Sequence, residues 1–439
     1  MDTPIYDFLK KYSGSDFTRL HMPGHKGNNF LGCEAIDITE IQGADNLYQA
    51  EGIIKKSEEN TSKIFNTGAT FYSTEGSTLC IKAMIYTVLL AHPQNQAPRI
   101  IAVRNVHKSF IYACAELGID IEWIYPDNTE SIISCKVTCD EIKKALHKAP
   151  NALAVYLTSP DYLGQMSDIE SIATVCHNAG IPLLVDNAHG AYLKFFDMHP
   201  IDLGADMCCD SAHKTMPVLT GGAYLHVSCR ANKTYSPFIK NALSAFGSTS
   251  PSYLTLASLD LCNEYMANGL GAKLREYANK INELKEYLSK YGYEILQSEP
   301  LKLTILADGD ILSAHLRECQ IEPEYSDKTC VVMMLNLENS QDDLLKIQKA
   351  LTGITPPKPS SPPKLKQSNK IINVRQAFLS PYTTADVEAS VGCVCASPCI
   401  SCPPAVPIVI SGEVITPNHV EILKFYNHKT IQIIKGITF

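Results

Sequence analysis
Two residue types that serve one cofactor stand in VDNAH (Val185 to His189) and CDSAHKTM (Cys209 to Met216). Asp186 closes an otherwise apolar run, and Lys214 lies beside Ser211 and His213. A carboxylate and an amine of this kind are what pyridoxal phosphate needs. The acid keeps the pyridine nitrogen protonated and the ring an electron sink, and the amine carries the cofactor as a Schiff base. Asp186 ends a strand pattern, which puts its carboxylate at the carboxyl edge of a sheet, where ligands of open α/β folds bind. The plain alternative is an acid capping the following turn. Lys214 sits in a polar pocket with Ser211, His213 and Thr215, and Gly221 and Gly222 permit close backbone approach. An exposed lysine at a strand end is the alternative there.

Other residues fall into place around this pair. STEGSTLC (Ser73 to Cys80) sets glycine and hydroxyls ahead of an apolar segment that reads as a helix. Backbone N–H groups of Gly76, Ser77 and Thr78 at its start would cradle a phosphate, helped by the helix dipole, unless this is an ordinary serine-capped helix. Ser211 and His213 are expected to bond the same phosphate, and His213 to relay protons. His107 opens the segment after RIIAV and is placed to stack its imidazole on the cofactor ring, although a lone histidine there is more commonly a cap or a surface residue. Thr158 ends another strand at the same edge and is expected to touch the ring or its phenolic oxygen. His189 is expected to assist the ring or to hydrogen-bond its loop.

The elements that must position these residues alternate as a βαβ array does. Residues 99–103, 119–125, 152–158, 181–186, 205–210 and 222–227 read as strands. Segments after His107 and after Asp168 carry apolar residues at helical spacing, each closing on a glycine suited to a helix C-cap. Most of the strand runs are apolar on both faces, so a mostly parallel sheet covered by helices is expected. After about Gly269 a long charged helix, KLREYANKINELKEYLSKYG, leads into a smaller α+β domain, dividing the chain at about residue 270. TPPKPSSPPKLKQSNK (355–370) is a proline-rich loop, and the tail from Ile371 returns to apolar segments that pack on the small domain.

Bulk properties narrow the class. The chain has 439 residues, 45% hydrophobic and 19% charged, with a formal net charge of -8, which suits a globular enzyme of two or three domains and excludes a nucleic-acid footprint. No apolar run is long enough for a membrane span and the N-terminus lacks a signal-peptide core, so a cytoplasmic location is expected. The sixteen cysteines are scattered and read as reduced thiols. Cys393, Cys395, Cys399 and Cys402 are spaced closely enough to raise a zinc or iron–sulfur possibility; no metal is assigned to the catalytic site.

HMPGHKG, DITEIQGADNLYQAEGIIKKSEE, STEGST, RNVHKSF, LTSPDYLG, VDNAHGAYLKF, DSAHKTMPVLTGGAYLH and STSPSYLTLASLD follow one another, and blocks of this kind run from about residue 4 to 262. They resemble the successive blocks of the bacterial ornithine/lysine/arginine decarboxylases, within fold type I of the pyridoxal phosphate enzymes. CPPAVPIVISGEVIT resembles the family's closing block, and residues from about 270 to 390 match only in outline. The resemblance implies Lys214 as the Schiff-base lysine, Asp186 as partner of the pyridine nitrogen, His107 as the stacking residue, and phosphate contacts from Ser77, Thr78, Ser211 and His213. It implies a homodimer or larger assembly with shared active sites, in which Thr249 and Ser250 reach the neighbour's phosphate. It also implies a basic amino acid as substrate, for whose cationic end Glu413 is the candidate partner; a surface glutamate in a turn is the alternative.

The chain starts at the family's core blocks, so it is expected to be the short form without the N-terminal wing domain. Glu75 stands where the family commonly has asparagine, Asn46 replaces an acid, and GCVCASPCISC departs from the family's text, which leaves the substrate open. The expected reaction is loss of the α-carboxylate as carbon dioxide. An aminotransferase or aldolase of the same fold, or a binding protein without catalysis, would keep the same lysine and aspartate.

Overall fold
A computed structural model describes residues 1–125, 134, 136–397 and 407–438. The described part falls into two compact units, one of residues 1–96 and 169–272, the other of 97–168 and 273–439. The first seven strands are β1 (Ala69–Ser73), β2 (Arg99–Val103), β3 (Asp120–Ile124), β4 (Val155–Thr158), β5 (Leu183–Asp186), β6 (Met207–Asp210) and β7 (Ala223–Val227). Six of them fall within the expected runs.

In the first unit β6 pairs with β5 in parallel and with β7 antiparallel, and β7 pairs antiparallel with β1. The registers Val185↔Cys208 and Asp186↔Cys209 fix which side chains share a face, since side chains alternate along a strand. All four residues of β5 and of β6 are buried, as strands covered on both faces must be. The sheet edge therefore differs from the expected parallel pattern at β7 and β1. β1 carries no continuous apolar run; its Thr70 and Tyr72 are instead buried by polar partners, Thr67 and His226 for one and Ser57, Thr61 and Asn263 for the other.

Helix Gly76–Ala91 is apolar nearly all round and buried along most of its length, as a core helix should be. Helix Tyr253–Ala267 supplies Asp260, whose Oδ2 accepts the N–H groups of Ile5 (2.8 Å) and Tyr6 (3.0 Å) at the start of helix Pro4–Ser13. No side chain of that helix caps it, so Asp260 does the work of a capping acid from a distance.

In the second unit β3, β2 and β4 pair in parallel. Helix Lys108–Leu117 ends on Gly118 at φ +72°, and Gly180 in the first unit has φ +71° after helix Ile169–Asn178, the left-handed closing that the glycines led us to expect. The remaining strands are β8 (Glu294–Ile295), β9 (Lys302–Leu306), β10 (Tyr325–Ser326), β11 (Cys330–Met334), β12 (Tyr382–Asp386), β13 (Cys393–Cys395) and β14 (Thr430–Thr438). They form a four-stranded sheet, β10-β11-β9-β8, and a three-stranded one, β12-β14-β13, both antiparallel.

The unit boundaries do not follow one cut at residue 270, because residues 97–168 join the second unit. Three ties explain it: Arg375 donates to the carbonyls of Ala115 and Glu116, Lys370 pairs with Asp120, and Arg104 pairs with Glu413. The long charged helix starts at Leu270. Residues 355–369 contain no helix or strand, and the chain beyond them builds the three-stranded sheet over Ala377, Val394, Ala396 and Ile434.

Candidate active site
Lys214 rides on the one-turn helix Ala212–Thr215 directly after β6, and its Nζ lies 3.0 Å from His189 Nε2. His189 reaches that point because the turn after β5 is tight. Asp186 Oδ1 accepts the N–H of Ala188 (3.2 Å), Asn187 N–H bonds the carbonyl of Cys209 (3.0 Å), and Gly190 N–H bonds the carbonyl of Asn187 (2.8 Å). A Cβ at Gly190 would stand 2.1 Å from Asn187 Oδ1, so this turn closes only around glycine. Asp186 is 2% exposed. Its neighbour across the pairing, Cys209, holds its thiol 3.7 Å from Asp186 Oδ1, and burial pushes that thiol well above its ordinary range, so it stays protonated and donates.

The phosphate cradle is built from two turns. Gly76 takes φ +70° and gives its N–H to the carbonyl of Gly221 (2.7 Å), while Gly221, at φ +96°, leaves no room for a Cβ against the Thr74 carbonyl. Ser211 Oγ donates to Ser77 Oγ at 2.8 Å, which joins the Lys214 turn to the start of helix Gly76–Ala91. The residue before that helix is Glu75, and its side chain does not cap the first turn. The Gly76 N–H, expected among the phosphate donors, is given instead to the Gly221 carbonyl, while the space beside Gly76 is open. The amides after Gly76, with two hydroxyls beside them, fit an anionic group. His213 points Nδ1 at the Gly222 carbonyl (3.1 Å), which makes Nδ1 the donor there. Thr249 and Ser250 lie in an exposed loop, whose preceding residue Ser248 gives its N–H to Glu75 Oε1 at 2.6 Å.

Thus the first unit brings together Asp186, His189, Lys214, Ser211, Ser77 and the amides after Gly76. His107, Thr158 and Glu413 belong to the second unit. His107 caps helix Lys108–Leu117, with Nδ1 accepting the N–H of Ser109 (3.3 Å). Thr158 ends β4, and its buried hydroxyl has no hydrogen-bond partner among the described residues, a polar valence of the kind a ligand fills.

Glu413 departs from its expected role. Its carboxylate takes Arg104 in a two-pronged pair (2.8 and 2.9 Å), and also accepts from the Tyr125 hydroxyl (2.8 Å) and Ile410 N–H (2.8 Å). Four donors fill all four lone-pair positions. Burial alone would raise its pKa, yet Arg104 outweighs it and holds Glu413 below the usual carboxylate range. A glutamate so engaged is half of a buried ion pair, and we do not carry it forward as the contact for a substrate cation. Arg104 also lies over the rings of Trp123 and Tyr125.

Sequence reasoning missed Asn187 and Asp210. Asn187 Nδ2 donates to Asp210 Oδ1 (2.7 Å), bracing the turn after Asp186 against the end of β6, just ahead of the helix that carries Lys214. Their positions inside VDNAH and CDSAHKTM were the available signal. Cys393 and Cys395 are buried on β13; Cys399 and Cys402 lie outside the described residues.

Comparison with known proteins follows the same lines. The family profile described as Orn/Lys/Arg decarboxylase, major domain, matches residues 3–299. The chain is 30% identical to an arginine decarboxylase of Bacillus subtilis (strain 168) over 95% of its own length and 92% of that protein. It is also 30% identical to an arginine decarboxylase of Halalkalibacterium halodurans, over 97% and 93%. The solved Francisella novicida lysine decarboxylase LdcF superposes with a TM-score of 0.81 at 17% identity, covering 99% of this chain and 81% of that one, a likeness of fold.

Proposed function
The chain belongs to the ornithine/lysine/arginine decarboxylase family and is a decarboxylase of basic amino acids; from that premise we propose that it converts arginine to its amine with pyridoxal phosphate held on Lys214. The observation that supports this most is the Lys214–His189 contact of 3.0 Å, with Asp186 buried at the end of the paired strand and an uncapped helix start beside Ser211 and Ser77. Arginine is favoured over lysine and ornithine because the two relatives that are 30% identical over at least 95% of this chain are arginine decarboxylases.

When bound, the cofactor supplies the sink for the electron pair left by the broken Cα–carboxylate bond. The chain's own residues do the rest. Lys214 would hold the cofactor, and His189 Nε2, 3.0 Å from its Nζ, would orient the amine and take up its proton. Asp186, buried at the end of β5, would hold a proton on the ring nitrogen by charge pairing. The amides after Gly76, with Ser77, Thr78 and Ser211, receive the phosphate. His213, with Nδ1 fixed on the Gly222 carbonyl, presents Nε2 as the group that binds phosphate or moves a proton to Cα. His107 and Thr158 are assigned contacts to the same cofactor. A homodimer or larger assembly that borrows Thr249 and Ser250 from a neighbour completes the proposal.

The test is direct. Protein saturated with pyridoxal phosphate is incubated with arginine, lysine and ornithine, and amines and keto acids are identified by mass spectrometry. Agmatine with carbon dioxide from arginine is expected, with no turnover and no visible absorbance in Lys214→Ala. Keto acids without carbon dioxide overturn the proposal in favour of amino transfer.

A further inference from the structure
Behind the sheet, on the face opposite Asp186 and Cys209, four side chains converge that the decarboxylation does not use. Cys208 and Asp210 are two apart on β6 and so point the same way, and His226 on β7 stands directly across from Cys208 in the antiparallel register. His199 comes in from the loop after Phe196. All four are fully buried, at 0% exposure. His199 Nε2 lies 3.0 Å and His226 Nε2 3.3 Å from the same oxygen, Asp210 Oδ2, and Cys208 Sγ lies 3.9 Å from His199 Nε2. The donor atoms of His199, Cys208 and Asp210 are all within 4.8 Å of one another.

We propose that His199, Cys208, Asp210 and His226 form a structural binding site for one zinc ion. Tetrahedral zinc with its usual bond lengths sets neighbouring N and O donors roughly 3.3 Å apart and N and S donors roughly 3.6 Å apart. The separations of His199 and His226 from Asp210 Oδ2 and of Cys208 from His199 lie within a few tenths of an ångström of that pattern, while His226 stands outside the mutually close trio and would have to move inward to complete the shell. His226 Nε2 is buried and points at Asp210 Oδ2, 3.3 Å away, an oxygen that His199 Nε2 already approaches at 3.0 Å, so an ion between them would serve all three groups. The other nitrogen of His226 is already held by Thr70 Oγ1 at 2.8 Å, and Asp210 Oδ1, the oxygen turned away, is held by Asn187. Such outer contacts are what orient metal ligands.

Charge argues in the same direction. Zinc with one thiolate, one carboxylate and two neutral imidazoles carries no net charge, which is the form a dry interior accepts most easily. Phe65, stacked on His226 at 4.4 Å and edge-on to His199, closes the cluster off on another side. One contact opposes the ion. Ile201 N–H lies 3.4 Å from His199 Nδ1, and a neutral imidazole bound through Nε2 carries its proton on Nδ1, so that long contact must be surrendered. The site sits one residue before Ser211 and four before Lys214, and Asp210 joins it to Asn187, so the ion would stiffen the turn that presents Asp186. The inference does not depend on which amino acid is decarboxylated.

The experiment uses full-length holoprotein, freed of any polyhistidine tag and passed through chelator-containing buffer. Elemental analysis is expected to find about one zinc per chain, and X-ray absorption at the zinc edge one sulfur and three nitrogen or oxygen neighbours. Cys208→Ser and His226→Gln are expected to retain zinc at least about tenfold more weakly. If these variants do not fold, the wild-type absorption spectrum decides alone. Protein that is fully loaded with pyridoxal phosphate but metal-free, zinc without a sulfur neighbour, or full zinc retention in folded Cys208→Ser would each overturn the site while leaving the decarboxylase reading untouched.

Discussion
Glu413 shows how much one side chain's role depends on its partner. Arg104 is 309 residues away in sequence, and nothing in ISGEVIT announces it. A lone buried glutamate would suit a cationic substrate, whereas one saturated by a guanidinium, a phenol and an amide holds structure together. Removing one member of such a pair leaves a charge in a dry site. Glu413→Gln is therefore expected to lower stability by about 3–5 kcal/mol in urea unfolding, with the order of preference among arginine, lysine and ornithine unchanged. A reversal of that preference would return Glu413 to the substrate pocket. Asp186 and Lys214, by contrast, were legible from the chain alone, because each stands at the end of a run apolar enough to be a buried strand and beside residues with cofactor chemistry.

At the scale of single elements, two turns and one helix carry testable consequences. Gly190 is hemmed in by Asn187 Oδ1 and Leu193 Cδ1, 2.1 and 2.7 Å from where a Cβ would stand. Gly190→Ala is expected to destabilise by about 1–3 kcal/mol and to weaken pyridoxal phosphate binding, read by absorbance titration, because the displaced turn carries Asp186 and His189. Asp260 offers a pH test. Burial raises its pKa from 3.8 to about 6, against the donors Ser57, Tyr6 and Ile5. A folded pKa above the unfolded one means that the folded state binds the proton more tightly, so this contribution to stability is full below pH 3.8 and fades as the pH rises through about 6. Asp260→Asn is expected to flatten the thermal midpoint across that window; an unchanged slope would assign the dependence elsewhere. The strands most readable in sequence were the doubly covered ones. β1 escaped notice since its Thr70 and Tyr72 are buried through hydrogen bonds, which leave no apolar pattern.

For the molecule as a whole, the sequence conveyed the order of elements but not which of them cohere. Residues 97–168 join the C-terminal part through Arg104, Lys370 and Arg375, pairings between side chains too distant for any periodicity to reveal. The proposed cofactor contacts in the first unit come from residues 76–78, 186–189 and 211–214, so the site exists only when that whole unit is folded. A ligand bound by the native state alone stabilises it by about 2.7 kcal/mol at a hundredfold excess over Kd. Pyridoxal phosphate is expected to raise the melting temperature measured by scanning fluorimetry, and to raise it less in Lys214→Ala; equal shifts would place the binding energy outside the lysine. Among the described residues no helix is long and apolar enough to cross a membrane.

The long-range cap that Asp260 provides has a practical side. Met1 is 42% exposed, so a purification handle can be appended ahead of it with space to spare. Trimming the opening thirteen residues is another matter: it would strip Asp260 of the amides of Ile5 and Tyr6, leaving a buried carboxylate with Ser57 Oγ as its remaining donor among the described residues, so a shorter gene is expected to give a less stable product.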